Sequence, residues 1–119
     1  MREPVSLALI IGGFFLAAVI AWSIFSVGRA AVSHDRIARR FEVRTGAGPG
    51  ILTYLERGSA LEILHTEVPD AAEGQGYAAA LAVAALEFAR SEGKRVIPSC
   101  PYVAAYIGRH PDYADLVSR

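Results

Sequence analysis

The stretch from Leu64 to Ala78, LHTEVPDAAEGQGYA, constrains this chain more than any other. An extended apolar segment ends in His65-Thr66-Glu67-Val68, and a short acidic loop with Pro69 leads to Gly74-Gln75-Gly76-Tyr77-Ala78. An alanine-rich run with helical spacing begins directly after the glycines. A strand that passes through a glycine turn into a helix is suited to holding an anion. The first helical turn leaves its backbone N–H groups unpaired, the helix dipole adds positive potential, and glycine lets a ligand approach the main chain.

The flanking sequence builds a small α/β (α+β) domain around that turn. Phe41-Glu42-Val43-Arg44 alternates with period two and reads as a half-buried strand. Gly46 to Gly50 has turn chemistry, and Ile51 to Glu56 is a second strand. Arg57-Gly58-Ser59 forms a hairpin connection to a third strand, Leu61 to Val68. These three are expected to form an antiparallel meander. A helix is predicted over residues 76–92, stopped at Gly93, and a fourth strand over residues 95–99. A short second helix is predicted from Pro101 to Arg109, with proline at its first position, and a last turn between Tyr113 and Val117. Ser33 to Arg39 is a polar connection, either a continuation of a preceding helix or the start of the first strand.

The N-terminus has a different character. Residues 4–28 carry no charge, a run longer than the roughly 20 residues a membrane-spanning helix needs. A cleaved signal peptide would have a shorter apolar region and a more basic start than Arg2 beside Glu3. The run is expected to be a single transmembrane helix in contact with the lipid bilayer, followed by a juxtamembrane connection over residues 29–39. Arg29, Arg36, Arg39, Arg40 and Arg44 follow it and only Arg2 precedes it, which places the C-terminal domain, residues 32–119, on the cytoplasmic side of an inner or plasma membrane. The net charge is zero, so there is no electrostatic footprint for nucleic acid. The single cysteine excludes an internal disulfide and fits a reducing compartment.

The residues of the central stretch resemble the acyl-CoA-binding core of the GNAT N-acyltransferases, whose signature is R/Q-x-x-G-x-G/A at a strand-to-helix turn. A minimal GNAT-like subfamily is similar in more detail. It carries H-T-x-V-P before the glycines and P-x-C-x-Y/F after the next strand, matched here by His65-Thr66-Glu67-Val68-Pro69 and Pro98-Ser99-Cys100-Pro101-Tyr102. Arg40-Phe41-Glu42-Val43 and His110-Pro111-Asp112-Tyr113 extend the similarity, which covers roughly Val32 to the C-terminus. It implies a mostly antiparallel GNAT sheet with two or three helices, acetyl-CoA as co-substrate and N-acetylation of an amine. It also implies cofactor contacts at Thr66, Val68, Glu73, Gly74, Gln75, Gly76, Tyr77 and Ala78. Glu73 stands where relatives carry Arg or Gln, and a carboxylate beside a pyrophosphate is repulsive. A dinucleotide-binding turn is disfavoured, because Pro69 to Glu73 separate strand from glycines.

Three side chains are candidates for the chemistry. Amine acetylation needs the nucleophile deprotonated, and Glu67, at a strand end, is placed to act as general base. His65, two residues earlier, shares its face and is expected either to make a structural hydrogen bond or to join that role. Cys100 follows a strand and precedes Pro101, which puts it near a helix N-cap, where thiolate is favoured. Direct transfer and an acetyl-cysteine intermediate both remain open, as does a small buried residue. The resemblance implies a helical tyrosine that protonates the leaving thiolate, met approximately by Tyr106, with Tyr102 as rival. His110 and Asp112 have no partners at metal-ligand spacing, so no metal is expected. A binding module without turnover is the alternative from another class.

Overall fold

The computed structural model describes residues 31–117. Five strands, β1 (Val32–Asp35), β2 (Arg40–Thr45), β3 (Gly48–Arg57), β4 (Ala60–Glu67) and β5 (Arg95–Pro98), lie in the sheet in sequence order. The first four pair antiparallel and β5 pairs parallel to β4. The parallel step requires a crossover, and helix α1 (Tyr77–Ser91) supplies it. Helix α2 (Pro101–Arg109) and a 3-10 segment (Pro111–Leu116) complete the described residues. The expected mixed, mainly antiparallel sheet with few helices is present. The apolar run at residues 4–28 lies outside the described residues, among which no helix is long and apolar enough to cross a membrane.

One open alternative is decided and one expectation is corrected. The polar connection after the apolar run resolves into a strand, β1, and a tight turn. Asp35 Oδ1 accepts the backbone N–H groups of Ile37 and Ala38 at 3.1 and 2.9 Å, closing the hairpin to β2. The turn expected over residues 46–50 is confined to Gly46 and Ala47, and β3 begins already at Gly48. The reason lies in Gly50. A side chain there would meet Val43 Cγ1 at 3.1 Å, Val68 Cγ2 at 3.4 Å and Leu81 Cδ1 at 3.5 Å. That glycine is a packing residue that lets α1 lie close on the sheet.

The core forms between α1 and one sheet face. Phe41, Val43, Leu52, Tyr54, Leu61 and Ile63 are buried from the strands, and Leu81, Ala82, Ala85, Leu86 and Ala89 from the helix. Alanine on the inward face allows the close approach that Gly50 also serves. Residues on the other face, including Glu42, Thr53, Leu55 and Glu62, are only half-buried. Near β1, the His34 ring stacks on Phe41 at 3.9 Å, meets Phe88 edge-on at 4.4 Å and bonds Tyr54 Oη through Nε2 at 2.8 Å. The 3-10 segment is tied back to α1: Arg90 grips Asp115 at 3.1 and 3.2 Å and donates to the Asp112 carbonyl at 2.8 Å. The Tyr113 hydroxyl donates to Glu87 at 2.7 Å, and burial, reinforced by that bond, raises its pKa.

Burial, with the Arg36 guanidinium adding to it, lowers the pKa of His34 from its ordinary 6.5. Above that pH the ring is neutral in folded and unfolded chain alike and contributes no pH dependence. As pH falls through 6.5 the unfolded chain takes up a proton that the folded chain resists, so stability drops until the lower folded pKa is passed. Melting curves between about pH 8 and 5 should therefore show a decline that is shallower in His34→Gln. Leu61→Ala, which empties a fully buried site in the central strands, should cost about 2–5 kcal/mol in denaturant unfolding.

Candidate active site

Beyond residue 63 the sheet parts. The β4–β5 register ends with Ile63 opposite Pro98, while β4 continues to Glu67 without a β5 partner. Pro98, lacking an N–H, cannot continue the ladder as a donor. The Cys100 N–H makes the last contact, 2.9 Å from the Ile63 carbonyl, and the chain then turns into α2. Opposite, β4 carries one extra residue: Thr53 faces His65 and Tyr54 faces Ile63, so Leu64 has no partner of its own. Such a bulge reverses the alternation of side chains. Leu61 and Ile63 face the core, and after the bulge Thr66 takes their side.

After β4 the chain passes Val68 and Pro69 and makes a single 3-10 turn, Asp70–Ala72, with Ala72 buried beneath it. Gly74 and Gly76 both adopt left-handed backbone, φ 80° and 88°, and a β-carbon at either would meet nothing within 4 Å. Backbone conformation, not space, calls for glycine here. Gly76 is the N-cap of α1 and offers no side chain to the first turn, which also contains no acidic residue. The amides of Tyr77, Ala78 and Ala79 therefore keep their donors for a ligand.

These elements enclose a cavity of about 400 Å³ lined by Thr66, Val68, Ala72, Glu73, Gly74, Gly76, Tyr77, Ala78, Ala79 and Tyr102. Seven of the eight residues expected to contact a cofactor line it together. Gln75 is exposed and is not part of the wall. Glu73 is in the wall, so its charge faces the same space as the helix terminus. A larger open groove of about 570 Å³ follows the β1–β2 hairpin, lined by residues such as His34, Arg36 and Glu42, but it contains neither a helix end nor a glycine turn.

The three catalytic candidates are placed differently. Cys100 is the N-cap of α2 as expected, but it is 2% exposed and is not in the cavity wall. Its Sγ lies 3.4 Å from Thr66 Oγ1, which does line the cavity. Tyr106 sits on the buried side of α2 with Val103 and Ile107, its ring stacked on His110 at 3.9 Å. Tyr102, the rival, stands in the wall, and burial raises its pKa, keeping the hydroxyl protonated. Their separation by four residues hid this choice, because both project from neighbouring turns of one helix.

Glu67 alternates with Thr66 and projects from the opposite face of β4, with its side chain 77% exposed. His65 also projects there and makes no side-chain hydrogen bond among the described residues; its Nε2 approaches Glu67 Oε1 at 4.0 Å. The structure thus separates these two from the cavity and pairs them on the open face. Among the described residues no group of three or more His, Cys, Asp or Glu is arranged to hold a metal.

Comparison with known proteins agrees with this architecture. The family profile described as GCN5-related N-acetyl-transferase matches residues 40–116, from β2 to the end of the 3-10 segment. Protein NATD1 of Mus musculus is 38% identical over 87 residues, covering 71% of this chain and 79% of its own. Protein NATD1 of Homo sapiens is 39% identical over 83 residues, covering 67% and 74%. That of Danio rerio is 31% identical over 94 residues, covering 75% and 86%. The chain belongs to the GCN5-related N-acetyltransferase family. Its enzyme class is that of an N-acetyltransferase.

With Glu73 facing an uncapped helix terminus, removing its charge should favour any polyphosphate bound there. Glu73→Gln is expected to tighten binding of CoA by about fivefold, roughly 1 kcal/mol, measured by calorimetry at low salt. The gain should shrink as ionic strength rises.

Proposed function

We propose that the protein is an acetyl-CoA-dependent N-acetyltransferase whose co-substrate is held in the cavity at the start of α1. The observation that carries this is the uncapped first turn of α1, which follows two left-handed glycines and opens into a space that the splayed end of β4 also borders. Anionic phosphate groups suit the free amides of Tyr77, Ala78 and Ala79. The pantetheine would follow Thr66 and Val68 along the unpaired edge of β4, where main-chain groups have no partner on β5. Acetyl-CoA supplies the activated acetyl group; the chain supplies anchoring, orientation and proton handling. Tyr102, protonated and in the wall, is placed to give a proton to a departing thiolate.

The acceptor is an amine of an exposed kind, a protein lysine or N-terminus in preference to an enclosed metabolite. Support comes from the half-buried second face of the sheet, which no element among the described residues walls in around the exposed His65 and Glu67. An amine reaching the parted strands from that face would meet Glu67 as its proton acceptor, directly or through one water. Tethering to a membrane through residues 4–28, with the domain cytoplasmic, is supported by the uncharged apolar run and the arginines that follow it.

Ala78→Asp separates ligand binding from folding. A carboxylate in the first turn of a helix complements its dipole, so the variant should be as stable as the parent or slightly more so. The same carboxylate occupies the anion site. In thermal unfolding, the parent should gain about 2.7 kcal/mol at a hundredfold excess of acetyl-CoA over its dissociation constant. The variant should gain none. A folded parent that shows no shift at millimolar acetyl-CoA would remove the assignment.

A further inference from the structure

Cys100 invites the role of acetyl carrier, because it is the only thiol in the chain and caps a helix beside the cavity. The geometry points to a different role: Cys100 is a positioning residue whose S–H donates to Thr66 Oγ1 and thereby turns the Thr66 hydroxyl hydrogen toward the cavity. This inference rests on the assignment of the cavity to acetyl-CoA.

Three observations carry it. The thiol is almost fully buried and absent from the cavity wall, whereas its partner Thr66 is part of that wall. A sulfur that takes up an acetyl group must come within about 3–3.5 Å of the reacting carbon. The backbone of Cys100 is also held at both ends, its N–H on the Ile63 carbonyl at 2.9 Å and its carbonyl on the Ala104 N–H at 3.0 Å, with Pro101 next in sequence. The main chain that carries the sulfur is therefore fixed where β4 and β5 part.

The third observation is the pairing itself, Sγ to Oγ1 at 3.4 Å. A hydroxyl has one hydrogen and two acceptor sites, and a thiol is a weak donor and a weak acceptor. If Thr66 donated to sulfur, its only hydrogen would be turned away from the ligand. With the thiol donating, that hydrogen is free for a carbonyl of the bound thioester or pantetheine. Transfer then proceeds without a covalent step on the protein: the amine nitrogen bonds to the acetyl carbon and gives its proton to Glu67, directly or through one water, while the carbon–sulfur bond of the thioester breaks and CoA leaves as a thiolate that Tyr102 protonates.

The test uses the full chain and acetyl-CoA, with folding of each variant checked by melting. Cys100→Ala and Thr66→Val should each weaken acetyl-CoA binding roughly three- to tenfold, the value of one ordinary hydrogen bond. The double variant should be no weaker than Thr66→Val alone, because both remove the same interaction. Cys100→Ser, which restores a donor, should bind within about twofold of the parent. Peptide mapping of the parent, acid-quenched after mixing with acetyl-CoA, should find Cys100 unacetylated. An acetyl group on Cys100, additive losses in the double variant, or a serine variant as weak as the alanine one would each overturn the inference. Absence of binding by the parent and every variant alike would instead remove the cofactor assignment, and this inference with it.

Discussion

The hydrogen bond from the Cys100 N–H to the Ile63 carbonyl is the point on which the site depends. Up to that bond β4 and β5 are ordinary parallel neighbours; beyond it they diverge, and nothing on β5 answers the last residues of β4. Unpaired backbone polar groups must find other partners or remain open to solvent and ligand. Here the opening is flanked by the cavity at the start of α1 on one side and by the half-buried face of the sheet on the other. The bulge at Leu64 completes the arrangement by turning Thr66 to the cavity side and leaving His65 and Glu67 on the open one.

The same fold that creates the opening also stabilises it. Gly50 allows α1 to settle on the sheet, which fixes where the first turn of the helix points. Arg90 and Tyr113 then tie the 3-10 segment to α1, and Val117 pairs with Val96 on the outer side of β5. A domain of this size has little core to spare, so these exposed ties close an edge that larger sheets cover with further strands.

Much of this was legible in the sequence because local chemistry decided it. Proline at the first position of α2, glycine at the start of α1 and the apolar alternation of β2 and β3 each specify their element without long-range help. What the sequence hid was decided by contacts between distant residues. Gly50 looks like a turn residue until Leu81 and Val68 are seen against it. A one-residue bulge has no local marker in Ile63-Leu64-His65, yet it determines which of Thr66 and Glu67 meets the cavity. Tyr102 and Tyr106 cannot be ranked by spacing alone; burial among Val103 and Ile107 separates them.

The most direct test of the account is amide chemical-shift mapping of the isotopically labelled protein as CoA is added. The largest changes should fall on the backbone N–H groups of Tyr77, Ala78 and Ala79, with smaller ones at Thr66 to Val68 and at Gly74 to Gly76. Changes centred on the β1–β2 groove, or none at a concentration that saturates related enzymes, would contradict it.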